Sequence, residues 1–167
     1  MSEKDILIKE KLDHSGIFDF AGFYSYAHFW FKDHNYDGVT EEKYSEKVSG
    51  NTKDIFIEWK AVKRLSDYFK IEQQIKFEIS GLTDVEVEIE GKRKKMNKGK
   101  IGVEVKGVMI RDPDSKWDKT PLSRFFREVY NKYVIPGRVI AIEEKIMADT
   151  RSWKEDLKSF LELTGKR

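Results

Sequence analysis

Apolar positions along the chain fall into three regimes. Between residues 17 and 34 they recur at helical spacing, and Ile17, Phe20, Phe23, Tyr24, Ala27 and Phe31 share one face. Asp19 stands where an N-cap is wanted and Asn35 where a helix can close. Between about residues 44 and 110 the period falls to two. Tyr44 and Val48 belong to a run that ends at the turn Ser49-Gly50-Asn51. Ile55, Ile57, Trp59 and Ala61 then alternate with Phe56, Glu58, Lys60 and Val62. Phe69, Ile71, Ile75, Phe77 and Ile79 alternate with Lys70, Glu72, Lys76 and Glu78, the signature of an antiparallel strand with one wet face. "SGLTD" (80–84) is expected to turn the chain, after which Val85, Val87 and Ile89 alternate with Glu86, Glu88 and Glu90. Ile101, Val103 and Val105 continue the pattern until Gly107, where the run Val108-Met109-Ile110 breaks phase and suggests a β-bulge. Residues 5–12 alternate more weakly and form a candidate first strand.

The third regime is helical again. Thr120 and Pro121 suit an N-cap and the first helical position, and Leu122, Phe125, Phe126, Val129, Tyr130 and Tyr133 then form an apolar face. Ile135-Pro136-Gly137 breaks that helix. Val139, Ile142, Ile146, Trp153, Leu157, Phe160 and Leu161 stripe a long final one that Gly165 ends. The element order is therefore β-α-β-β-β-β-β-α-α. With 167 residues and no linker, internal repeat or low-complexity tract, the expectation is one α+β domain over 1–167. Its sheet is an antiparallel meander of five to six strands, covered on one face by the N-terminal helix and two C-terminal helices.

Charge changes this picture at one place. Charged residues make up 37% of the chain, but 32 basic residues against 30 acidic ones leave a net charge of +2, which selects no partner. The bias is local: "GKRKKMNKGK" (91–100) carries Lys92, Arg93, Lys94, Lys95, Lys98 and Lys100. If the odd-numbered sets 85, 87, 89 and 101, 103, 105 share a face, paired positions sum to an even number. The hairpin loop then centres on Met96 or Asn97, with Gly99 to supply a positive φ. The lysines sit on a protruding ribbon that can lie along a phosphate backbone or an anionic surface. The tip lacks aromatic rings for stacking on bases, and lysine also protects strand edges.

Candidate chemistry is sparse. Asp33, Asn35, Asp37 and Gly38 open like the calcium loop of an EF-hand, but the twelfth position is Tyr44, which cannot close the coordination shell as a bidentate Glu does. Asp33, Asn35 and Asp37 read better as a helix end and turn, and no metal or other cofactor is expected. Asp112, Asp114 and Asp118 are likewise turn residues. His14, His28 and His34 have no spacing that joins them in one site, and no carboxylate pair stands out in an apolar setting. Cysteine is absent, which excludes disulfides, thiolate nucleophiles and cysteine-held zinc. No apolar stretch suits a signal peptide or a membrane span, so the expected location is the cytoplasm.

Aromatic residues offer the remaining handle. Tyr24, Tyr26, Phe29, Trp30 and Tyr36 crowd the first helix and its exit, and a helix apolar on most sides is either buried twice or offers a groove. Through "DYFKIEQQIKFEISGLTDVEVE", "KWDKTPLSRFF" and "LKSFLELTGKR" the chain resembles small archaeal proteins with no assigned activity. Its order of strand, helix, meander and long final helix resembles helix-grip (START-like) lipid carriers. Those have one more strand before the last helix and a second early helix, where this chain has helix 121–134. The resemblance implies a cavity between sheet and final helix. The expected function is a non-enzymatic binding module offering an aromatic groove or cavity to a protein partner or apolar ligand. Its alternative is nucleic-acid or anionic-surface binding through the hairpin 92–100.

Overall fold

The computed structural model describes residues 3–111, 120–129 and 136–165. Among these the elements follow as β1 (Glu3–Phe18), α1 (Phe20–Asp33), β2 (Gly38–Ser49), β3 (Thr52–Arg64), β4 (Phe69–Ile89), β5 (Lys92–Arg111), α2 (Pro121–Val129) and α3 (Pro136–Gly165). Asp112, Asp114, Asp118, Tyr130 and Tyr133 lie outside the described residues.

The strands form one antiparallel sheet in the order β1-β5-β4-β3-β2. Strands β2 to β5 are a meander. β1 lies on the far side of β5, so α1 must carry the chain from one sheet edge to the other. Its 14 residues reach about 21 Å, and the four inter-strand gaps span about 19 Å. The expected caps form: the Asp19 side chain accepts a 3.1 Å hydrogen bond from the Gly22 N–H, and Asn35 takes a left-handed φ of 63° just beyond the helix.

The β4–β5 pairing departs from the sequence expectation. Residues 80–84 do not turn the chain, because β4 runs unbroken from Phe69 to Ile89. Ile79 faces Ile101 and Phe77 faces Val103, but beyond Ser80 the register slips, and Thr83 faces Lys98. Gly81, at φ 64°, makes this bulge. The slip changes the pairing parity, so the hairpin closes as a two-residue turn at Glu90-Gly91 (φ 52° and 78°), not around Met96 and Asn97. The irregularity expected at Gly107 also forms, with the extra residue, Leu7, in the opposing strand β1. Val108, Met109 and Ile110 break the alternation because all three are buried, on both faces of the sheet.

Odd-numbered positions of β3 to β5 point toward α1 and α3. Ile57, Trp59, Ile75, Phe77, Val103 and Val105 meet Phe23, Ala27 and Phe31 of α1 and Ile146, Trp153, Leu157 and Leu161 of α3, all buried. Trp153 stacks on Phe31 with ring centroids 5.5 Å apart and meets Phe77 edge-on at 6.2 Å. α3 packs tightly over Gly107, where a Cβ would stand 2.6 Å from Thr150 Oγ1 and 2.7 Å from Ile146 Cγ2. The other face is charged. One row across all five strands reads Lys11, Glu104, Lys76, Glu58, Lys43, each opposite its neighbour. Alternating signs in directly opposed positions stabilise a sheet and disfavour a register slip that would align like charges.

Candidate functional site

The five aromatic candidates of α1 and its exit separate into three environments. Trp30 and Tyr36 are buried in the core. Trp30 Nε1 donates to Asp156 of α3 over 2.9 Å, and its ring stacks on His34 at 3.6 Å. Tyr24 points toward β2 and β3, edge-on to Trp59 at 4.9 Å, and its hydroxyl donates to Glu41 over 2.7 Å. Burial, then that hydrogen bond to Glu41, push the Tyr24 phenol up to about 12. Tyr26 lies at the seam with α3, stacked on Phe160 at 5.2 Å, and Phe29, one turn further along, is exposed.

Tyr36 leads to a buried polar cluster that the periodicity alone does not disclose. Its hydroxyl donates to Asp149 of α3 over 2.9 Å and accepts from Gln73 Nε2 of β4 at 3.3 Å. Thr150 Oγ1 lies 2.9 Å from Gln73 Oε1 and 2.8 Å from the Ile146 carbonyl. Lys63 donates to the His34 carbonyl over 3.2 Å and sits above the Tyr36 ring. Burial and the neighbouring Lys145 hold the Lys63 ammonium below its ordinary value, whereas burial and the Asp149 charge push the Tyr36 phenol up. A phenol held protonated between two partners straps the α1–β2 connection to β4 and α3. One signal for it was in the sequence: Gln73 occupies an inward position between Ile71 and Ile75, where the alternation asks for an apolar side chain. Glu72 is a second buried polar residue; it sits on the outer face, 3.2 Å from Lys60, which also pairs with Glu42 at 3.0 Å.

The calcium-like residues serve the turn into β2. Asp37 accepts from the Arg64 N–H over 2.7 Å, and Asp33 and Asn35 are exposed. Among the described residues no cluster of three metal-ligating side chains forms.

Two of the six basic residues of the ribbon, Arg93 and Lys95, are answered by carboxylates. Glu88 faces Arg93 and Glu86 faces Lys95 across the strands. Ion pairs join Arg93 to Glu86 at 3.7 Å and Lys95 to Asp84 at 3.5 Å. Lys92 and Lys94 lie opposite Ile89 and Val87 on the other face of the ribbon, with Lys98 and Lys100 further down β5, where the sheet widens. Strand parity thus divides a run that is continuous in sequence, and carboxylates face half of its tip.

α2 carries the apolar stripe expected of it, but outward. Leu122, Phe125, Phe126 and Val129 are 64%, 58%, 51% and 36% exposed, while Phe125 and Phe126 touch edge-on at 6.0 Å. Thr120 caps the helix, its Oγ1 accepting from the Ser123 N–H at 3.0 Å. No family model, curated protein or solved structure matches the chain.

Proposed function

We propose that the chain is a non-enzymatic binding module that meets a protein partner or an apolar ligand on outward-facing apolar surface. The observation that carries this reading is α2. Four large apolar side chains lie within one arc of about 100° on a nine-residue helix and face away from the core. Single exposed apolar residues are ordinary on a protein surface, whereas a contiguous set marks a contact site. The space between the sheet and α1 and α3 is occupied by Phe23, Phe31, Trp59, Phe77 and Trp153, which favours surface contact over enclosure. Tyr26, stacked on Phe160, and exposed Phe29 add aromatic surface on α1.

The triple variant Leu122→Ser/Phe125→Ser/Phe126→Ser tests this. Surface substitutions shift stability by about 0.5 kcal/mol each at most, so the variant should melt within a few degrees of the parent. The native parent should bind an apolar fluorescent dye, and the variant should lose that binding. A stability loss above about 3 kcal/mol in urea would place this face in the core and end the reading.

A further inference from the structure

We infer that one face of the β4–β5 ribbon, through Lys92, Lys94, Lys98 and Lys100, lies along the phosphate backbone of a nucleic-acid double helix. This surface is separate from α2, and the inference does not rest on the reading of that helix. Strand parity carries it. The pairing of β5 with β4 is regular from Lys92 to Lys100 on the β5 side, so these four lysines share one face while Arg93 and Lys95 share the other. Opposite the four on β4 stand Ile89, Val87, Thr83 and Ser80, and on β1 Ile17 faces Lys98 and Ser15 faces Lys100. None of these is acidic. The carboxylates of the ribbon strands, Asp84, Glu86 and Glu88, all stand on the side of Arg93 and Lys95. The four lysines are exposed, and among the described residues none is paired with a carboxylate. A charge spread over six residues in sequence is thus sorted into an ion-paired face and a free one.

Length and chemistry select the partner. Lys92 to Lys100 covers about 27 Å of extended strand, the axial length of about eight base pairs. Lys98 and Lys100 border a depression of about 520 Å³ that Ser15, Ser80 and Thr83 also line, and such hydroxyls donate to phosphate oxygens. The lane stops at the next row, where Asp13 and Glu78 flank Gly102. Its positions include no aromatic ring to stack on an unpaired base and no Arg, Asn or Gln to read base edges. Contact is therefore to the backbone alone, independent of sequence, and strongest where phosphates are densest, on a duplex. A lipid-binding face wants Trp, Phe or Leu beside its lysines, and this one has none.

The experiment follows the full chain binding labelled DNA and RNA duplexes of about 20 base pairs by fluorescence anisotropy across a salt series. Four phosphate contacts predict a slope of about −3.6 in log affinity against log salt, a loss of about 150-fold between 0.05 and 0.2 M. Lys92→Ser/Lys94→Ser and Lys98→Ser/Lys100→Ser should each halve that slope. Arg93→Ser/Lys95→Ser removes the same charge from the opposite face and should leave the slope as in the parent. All three pairs are exposed, so their urea midpoints should match the parent's. The triple Ser variant of α2 should bind duplex as the parent does, which separates this surface from that one. Binding to neither duplex overturns the inference, and so does a single strand of the same length binding more tightly than the duplex. Equal losses from the two faces overturn it as well, because the attraction is then one of net charge without a defined surface. Capture by phosphatidylserine vesicles in preference to duplex would assign the lysines to a membrane and overturn it too.

Discussion

Replacing Gly107 by Ala is the sharpest test of how α3 sits on the sheet. The added methyl would stand 2.6 Å from Thr150 Oγ1, 2.7 Å from Ile146 Cγ2 and 2.9 Å from Ile8 Cγ2. None of these can swing away cheaply, because each is bonded directly to the Cβ of a β-branched residue with few rotamers. The helix must lift or Thr150 must turn, and turning it breaks the hydrogen bond to Gln73. Overpacking of this kind costs about 1–3 kcal/mol, and the lost buried hydrogen bond adds about 1 kcal/mol. Removing a glycine from the unfolded chain returns about 0.4–1 kcal/mol. The expected net loss is therefore about 1–3.5 kcal/mol, read as a lower urea midpoint at unchanged slope. Thr150→Ala in the same background relieves the closest contact, so the double variant should lose less than the two single losses combined. A Gly107→Ala loss below about 0.5 kcal/mol would show that α3 does not approach β5 as described.

Two further outcomes follow from the same geometry. Leu157 is fully buried in α3, so Leu157→Ala should cost about 2–5 kcal/mol in denaturant unfolding at low protein concentration, while exposed Phe29→Ala should cost under about 0.5 kcal/mol; equal costs contradict the placement of the two residues. Alkaline pH tests Tyr24: its folded phenol titrates at about 12 against an ordinary 10.0, so the folded state holds the proton more tightly. Stability is then full below pH 10 and falls between pH 10 and about 12, with Tyr36 adding in the same direction. Tyr24→Phe should flatten that fall, and an unchanged slope in the variant refutes the shift.

Much of the element order was legible because period and punctuation are local. The spacing of Phe20, Phe23, Ala27 and Phe31 with Asp19 in front gave α1 and its cap, and Ser49-Gly50-Asn51 gave the β2–β3 hairpin. The alternation from Phe69 to Ile79 gave an inner and an outer face. The α3 stripe Ile146, Trp153, Leu157 and Leu161 is buried as its spacing required. The candidate surfaces were less legible. Five aromatic residues within thirteen positions suggested one groove, yet helix geometry turns Tyr24 toward β3, Tyr26 toward α3 and Phe29 outward.

Composition and period belong to the chain alone, and they specify an α+β domain with no cysteine, one wet sheet face, capped helices and an amphipathic segment after Thr120. Whatever depends on partners distant along the chain was set by tertiary pairing and packing. The β4–β5 turn lies at Glu90-Gly91 and not at the expected 96–97 because Ile75, Phe77 and Ile79, not Val85, Val87 and Ile89, face Val105, Val103 and Ile101, and the one extra residue of the bulge at Gly81 then reverses the parity of every later pairing. Pairing across that hairpin set Glu86 and Glu88 against a run that looks purely basic when read in order. Packing joined Gln73 to Tyr36 and Thr150, between 37 and 77 positions away. For α2 the stripe was visible but not its direction: periodicity shows that a face is apolar, and only the arrangement of the other elements shows whether anything in the chain covers it.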